Sequence, residues 1–285
     1  MVVFTESPSV VESRRLVLEL LLANHPQDCL TCEKSGDCQL QDYAYRYGVR
    51  GSRFQDGGPY RYEVKDPNPF IIRDYNKCIM CTKCVRACEE ITGAFALNVE
   101  NRGHQASICA GIDGTLAEST CIFCGQCVMV CPTGALTNRP EYGQARRWET
   151  KKVLTTCGYC AVGFTFELNV KDNRIVGVTS DRSPVKSPVN RGALCVKGRY
   201  GWGFINSPDR LTDPLIKENG EFRPATWEEA LDLVASRLGE IKEQHGPDSL
   251  MVISSARTTN EENYLAQKFA RAVLGTNNVD NCARL

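Results

Sequence analysis

Three clusters of cysteine, one of them led by a histidine, carry the chemistry of this chain. They read His25-x3-Cys29-x2-Cys32-x5-Cys38, then Cys78-x2-Cys81-x2-Cys84-x3-Cys88, then Cys121-x2-Cys124-x2-Cys127-x3-Cys131-Pro132. A looser set follows, Cys157-x2-Cys160 with Cys195 far downstream. Thiolates at such spacings deliver several soft sulfur ligands to one small volume, which suits a cubane of iron and sulfide. In paired ferredoxin-type runs the fourth cysteine of each run ligates the other cluster. That assigns Cys78, Cys81, Cys84 and Cys131 to one [4Fe-4S] cluster, and Cys121, Cys124, Cys127 and Cys88 to its twin. The chain reads as an electron wire.

His25 completes a third ligand set with Cys29, Cys32 and Cys38. A neutral imidazole in place of one thiolate makes a cluster less negative and favours its reduced state. Asp28 is expected to cap the loop rather than bind metal. The fourth set offers three thiolates, Cys157, Cys160 and Cys195. Where a CxxCxxxC pattern places another, Phe164 stands with no ligand atom. Either this cluster is absent or three-iron, or an oxygen or water ligand completes it, and one base separates Cys and Phe codons. His104 and His245 have no companions and are read as structural; Cys109 and Cys282 stand outside every run and are read as unligated thiols.

The sixteen cysteines could instead be disulfides or zinc ligands. Cysteines so close in sequence bridge one another poorly. Zinc knuckles call for histidines or wider spacing. With 34 basic and 34 acidic side chains the net charge is zero, and nothing marks nucleic acid or an anionic membrane as partner. Ser13-Arg14-Arg15-Leu16-Val17-Leu18 imitates an export signal, but Glu19 interrupts the apolar stretch and no small-residue cleavage site follows. That stretch is too short to span a bilayer. A reducing, cytoplasmic setting is expected.

The elements that must hold these ligands can be read in outline. Ser9-Val10-Val11-Glu12 suggests a capping box for a helix through about Ala23, stopped at Asn24-His25-Pro26. Lys34 to Asp37 reads as a turn and Cys38 as the opening of a short helix toward Tyr47. Gly51 to Pro69, with its alternating Tyr60-Arg61-Tyr62-Glu63-Val64, is a connector. Cys78 and Cys121 lie 43 residues apart in matching runs, the mark of an internal duplication. From Lys152 the texture turns to β, with hairpins around Lys171-Asp172-Asn173 and Asn219-Gly220. Thr226 to Glu229 is a second capping box, for a helix ending near Gly246-Pro247. A short buried strand at Leu250 to Ile253 and a helix from Asn260 to Leu274 open a parallel α/β layer.

The order of these motifs, ending in Cys195-Val196-Lys197-Gly198-Arg199-Tyr200-Gly201-Trp202, resembles the N-terminal iron–sulfur part of the molybdenum- or tungsten-dependent formate dehydrogenase catalytic subunit. The match is to the soluble, NAD- or ferredoxin-coupled type within the molybdopterin oxidoreductase family. It resembles, over its first modules, iron-only hydrogenases and the large iron–sulfur subunit of complex I. The resemblance implies an α+β multi-domain iron–sulfur protein: a His-Cys [4Fe-4S] module at 1–69, a two-[4Fe-4S] ferredoxin domain at 70–146, a β-rich domain next to the pterin cofactor at 147–205, and the start of an α/β domain at 206–285. It implies that Cys157, Cys160 and Cys195 hold the cubane nearest a molybdenum- or tungsten-bis-molybdopterin guanine dinucleotide, with Lys197 between that cluster and the pterin. A flavin and iron–sulfur NADH dehydrogenase-like subunit or a ferredoxin is the implied electron partner, and formate the substrate of the full-length product.

Relatives of this kind begin with a [2Fe-2S] domain that would precede Met1. In them a segment like Asn278 to Leu285 runs directly into a metal-binding cysteine or selenocysteine, then a histidine. Selenocysteine is encoded by UGA, so a reading frame ended at a selenocysteine codon after Leu285 is the expectation. The 285 residues alone are then an electron relay without catalytic residues. The alternative is a free-standing polyferredoxin-like subunit of a larger redox complex.

Overall fold

A computed structural model describes residues 2–54, 62–63, 66–112, 114–160 and 162–283. Tyr60, Arg61 and Val64 of the expected connector lie outside the described residues. The chain divides into two compact units, one of residues 1–155 with 164–203 and one of 156–163 with 204–285.

The first unit opens with helix α1 (Pro8–Leu22). The start differs from the Ser9–Glu12 box expected from sequence. Ser7 is the extended N-cap and Pro8 occupies the first helical position, where a fixed φ and a missing N–H cost nothing. Ser9 is thereby inside the helix, and its carbonyl accepts from the Ser13 hydroxyl at 2.9 Å. The helix closes at Ala23, just ahead of His25 and Pro26. Cys38 is the N-cap of α2 (Gln39–Arg46), which ends at Tyr47. Leu18, Leu40 and Tyr47 bury together between the two helices. Arg14 Nη1 donates to the Tyr47 hydroxyl at 2.7 Å, and Arg15 Nε to the Tyr47 carbonyl at 3.0 Å.

Four short strands frame the long cysteine runs: β1 (Ile71–Arg73), β2 (Leu97–Glu100), β3 (Ser107–Ala110) and β4 (Leu136–Asn138). β1 pairs antiparallel with β4, Ile71 opposite Asn138; β2 pairs antiparallel with β3, Leu97 opposite Ala110. Helix α3 (Lys83–Arg86) runs on through a π-turn to Thr92, and α4 (Gln126–Val130) lies within the second run, containing Cys127 and ending at Cys131. Ile71, Leu97, Ile108, Leu116 and Leu136 form the core, with Cys84, Cys127 and Cys131 buried among them. Phe70 stacks on Tyr200 with ring centroids 4.8 Å apart, tying the C-terminal part of the unit to this core.

That later part is a three-stranded sheet in the order β5 (Lys151–Thr156), β6 (Thr165–Lys171), β7 (Arg174–Thr179). The β6–β7 turn has Asp172 and Asn173 at φ 48° and 60°, the left-handed pair of a two-residue hairpin. Helix α5 (Val196–Tyr200) starts directly after Cys195.

The second unit holds a hairpin, β8 (Leu215–Glu218) and β9 (Glu221–Pro224), turned by Asn219 and Gly220 at φ 53° and 91°. Helix α6 (Trp227–His245) is capped by Thr226, whose hydroxyl accepts from Glu229 N at 3.2 Å. The reciprocal half of the expected box is diverted, because the Glu229 carboxylate pairs with Arg223 at 2.5 Å. Strand β10 (Val252–Ser254) pairs parallel with β11 (Val279–Asn281) around helix α7 (Asn260–Phe269). The strand expected at Leu250 begins two residues later, and Ile253 is 71% exposed rather than buried. A two-stranded pair supplies no second layer over that side chain. Among the described residues, no helix is long and apolar enough to cross a membrane.

Candidate iron–sulfur sites

The two long runs fold alike. In the first, Met80 and Thr82 take φ of 50° and 58°; in the second, Phe123 and Gly125 take 52° and 70°. These left-handed residues curl each CxxCxxC segment back on itself and turn amides inward, at a cost non-glycine residues bear only under constraint. Met80 N donates to Cys78 Sγ at 3.4 Å, and Phe123 N to Cys121 Sγ at 3.3 Å. Amides aimed at sulfur stabilise a thiolate and tune a cluster bound to it.

The charge of Cys131 bears on Cys78 and Cys84. That of Cys88 bears on Cys121 and Cys127, and Cys127 also feels Cys84 of the first run. Cys78, Cys81, Cys84 and Cys131 line one cavity, walled by Tyr75, Ile108 and Leu136. Just ahead of β2, Ala96 N donates to Cys88 Sγ at 3.3 Å, and Thr92 Oγ1 lies 3.4 Å from Cys124 Sγ.

Burial and mutual repulsion push the thiols up: Cys84 to about 12, and Cys127 well above its ordinary value. Thiolates gathered this closely in an apolar core need a cationic centre to remain ionised. Iron supplies that charge, so the donor set fits a cluster. Among the described residues, no group of three or more His, Cys, Asp or Glu closes to the tight array of a single ion. A cubane distributes its ligands over separate irons.

The His25 set is built at the end of α1. His25 Nδ1 is buried without a hydrogen-bond partner, an expensive state for a polar atom that no ligand claims. Burial holds the imidazole below its ordinary pKa, keeping it neutral with a lone pair to offer. His25, Cys29 and Cys38 line a common open cavity, and the charge of Cys32 bears on both Cys29 and Cys38. The Asp28 main-chain carbonyl caps the loop, accepting from Thr31 N and Cys32 N at 3.0 and 3.1 Å. Its carboxylate instead pairs with Lys77 Nζ at 3.2 Å.

Cys32 faces the ferredoxin-like part. A β-carbon on Gly134 would stand 2.7 Å from Cys32 Sγ and 3.3 Å from the Lys77 side chain, so only glycine leaves that sulfur its place. Lys77, immediately ahead of Cys78, pairs with both Asp28 and Asp74. Nothing in the sequence points to Lys77 or Gly134 beyond their adjacency to the runs.

Of the fourth set, Cys157 and Cys160 belong to the second compact unit, and Phe164 and Cys195 to the first. Cys157 is buried; Cys160 and Cys195 are exposed. Lys197 is exposed on α5. Cys109 Sγ donates to the Asn98 carbonyl at 3.5 Å, and Cys282 lies 3.3 Å from the Ser255 hydroxyl, outside every cluster set.

Four family models match in succession. The NADH-ubiquinone oxidoreductase-G iron-sulfur binding region covers residues 14–53, and the ferredoxin-like domain of NADH-quinone oxidoreductase subunit 3 covers 68–137. The molybdopterin oxidoreductase Fe4S4 domain covers 150–207, and the molybdopterin oxidoreductase model 210–285. Sites and matches together define an electron-transfer iron–sulfur protein. Along its length the chain is similar to the iron–sulfur and adjoining domains of the molybdopterin oxidoreductases and of the G-type NADH-quinone oxidoreductase subunits.

A Staphylococcus aureus (strain USA300) protein with a provisional formate dehydrogenase name is 36% identical over the whole of this chain. The second G-type NADH-quinone oxidoreductase subunit of Rhizobium meliloti (strain 1021) is 42% identical, again over the whole chain. The NADPH-Fe(3+) oxidoreductase subunit alpha of Geobacter sulfurreducens is 39% identical over 99% of it. The chain spans 32% of the length of each of these relatives.

Proposed function

We propose that this chain relays electrons one at a time through [4Fe-4S] clusters held by His25, Cys29, Cys32 and Cys38, by Cys78, Cys81, Cys84 and Cys131, and by Cys121, Cys124, Cys127 and Cys88. The observation that supports this reading is that Cys131 of the second run lines one cavity with Cys78, Cys81 and Cys84 of the first. When bound, such clusters supply reversible one-electron storage without proton transfer. The protein's part is to hold thiolates in an apolar core, direct amides at their sulfurs and keep His25 neutral. The domains read from the sequence, 1–69, 70–146, 147–205 and 206–285, are the modules of this relay. In the sequence Cys157, Cys160 and Cys195 read as a fourth set, altered or lost, with Phe164 where a further cysteine would stand.

In this reading the whole protein is a formate dehydrogenase-type oxidoreductase of the cytoplasm. Its molybdenum or tungsten pterin does the chemistry at formate, and Lys197 stands toward that cofactor. Electrons pass to a flavin and iron–sulfur NADH dehydrogenase-like subunit or to a ferredoxin. Support comes from the order of the four matched modules and from relatives whose names join formate, NADH and NADPH oxidoreduction.

The test is a stepwise reductive titration of the reconstituted chain under argon. The three complete sites should take up and return about three electrons per chain. Uptake below one electron overturns the relay.

A further inference from the structure

Among the described residues, Arg199 is the largest fully buried side chain, at 0% exposure. A guanidinium removed from water needs a counter-charge or a full set of acceptors. Among the described residues, Arg199 has neither. Its Nη1 donates to the Val178 carbonyl at 3.3 Å and its Nη2 to the Ser180 hydroxyl at 3.2 Å, both neutral. Its Nε is buried with no partner. Among the described residues, no carboxylate comes within ion-pair distance. The groups whose charge reaches it are Tyr200, Glu141, Cys124 and Cys127. Glu141 is not its ion-pair partner: Glu141 Oε1 accepts from Val178 N at 3.1 Å and from Asn138 Nδ2 at 2.9 Å.

The orphan Nε lies against the second cysteine loop. A β-carbon on Gly125, between Cys124 and Cys127, would come 2.9 Å from Arg199 Nε and 3.0 Å from the Tyr200 hydroxyl. Gly125, at φ 70°, is open on that side because the guanidinium occupies it. A buried cation with a free N–H, pressed on a loop of thiolates, lacks an anion of the kind an iron–sulfur cluster is.

We propose that Arg199 is the counter-charge of the cluster site formed by Cys121, Cys124, Cys127 and Cys88, its Nε–H donating to a sulfur of that site. A cation and a hydrogen bond at sulfur favour the more negative, reduced state, so Arg199 raises the potential of this one cluster. Arg199 is a positioning and tuning residue, four places after Cys195. The inference rests on the cluster reading of the Cys121 set.

The test is a redox titration, followed by electron paramagnetic resonance, of the reconstituted 285-residue chain and its Arg199→Gln variant, with iron counted on the same samples. Cys124→Ala identifies the signal of the site. Arg199→Gln should lower the reduced-to-oxidised ratio of that signal about tenfold at a fixed potential, about 59 mV for one electron, leaving the other signals in place. Full iron with an unmoved signal overturns the proposal. Wild-type chain lacking the iron of the Cys121 set contradicts the cluster reading instead, and Arg199 falls with it.

Arg199→Lys keeps the charge and removes Nε. Should the Gln variant fail to load, a lowered potential for that signal in the Lys variant upholds the proposal and an unmoved one overturns it. The wild-type chain gives a readout that needs no variant to fold. With 15N-labelled arginine, the reduced protein should show a hyperfine-coupled guanidinium nitrogen, and absence of any such coupling overturns the proposal.

Discussion

At the scale of single residues, neutrality and room decide what each ligand does. His25 is held neutral by burial and has an unclaimed Nδ1, which suits a ligand that adds no negative charge. Replacing it by cysteine restores a thiolate, so His25→Cys should keep the iron and lower that cluster's midpoint, on the order of 59 mV for each tenfold change in the reduced-to-oxidised ratio. His25→Ala should lose about four irons. A redox titration with iron counting checks both, and an unchanged iron content in His25→Ala removes the imidazole from the ligand set. The candidate ligand sets could be read from the sequence because each is a run of cysteines at short, regular spacing. Lys77, Gly134 and Arg199 could not, because their roles arise where distant segments meet: Gly134 against Cys32, and Arg199 against Gly125.

At the scale of elements, the ferredoxin-like part is joined to the β5–β7 sheet through a carboxyl taken out of water. Glu141 packs on β7, where a β-carbon at Gly177 would strike its Cδ at 2.5 Å. Burial raises its pKa above the usual carboxylate range, against the lowering effects of Val178 N, Arg147, Arg199 and Asn138. The folded chain therefore holds this proton more tightly than the unfolded chain does. Its stabilising effect is present below the unfolded pKa and is lost as pH rises through the folded value. Glu141→Gln keeps an acceptor for Val178 N and carries no charge. It should flatten the fall in stability with rising pH and raise the melting temperature at neutral pH by about 2 °C. Thermal unfolding of the variant and wild type from pH 4 to 8 checks this, and parallel profiles would sink it.

Hairpin turns at Asp172-Asn173 and Asn219-Gly220 were legible because left-handed φ selects those residues. The first helix start was misplaced by sequence, since Ser9-x2-Glu12 imitates a cap while Pro8 already fills the first turn. Likewise, a short apolar run could not tell that Ile253 faces solvent, because burial of a short strand depends on what lies across it.

At the scale of the whole molecule, a chain with balanced charge and buried thiol sets is organised around what it holds. Cys84, Cys127 and Cys131 sit inside the core with Ile71, Leu97 and Leu136, so cluster loading and folding of this part are coupled. The cysteine runs come in the same order as the iron–sulfur family models that match along the chain. The arrangement of the Cys157, Cys160 and Cys195 set was not legible in the sequence, since its thiols are divided between two compact units.

Everything proposed for this chain depends on three complete sites each holding a four-iron cluster. Iron and acid-labile sulfide per chain after anaerobic reconstitution, with Mössbauer spectra to assign cluster type, test that directly. Three cubanes require roughly 12 irons, with up to about 4 more if the Phe164 set also assembles. A count near 8 would contradict either the His25 set or one of the paired runs.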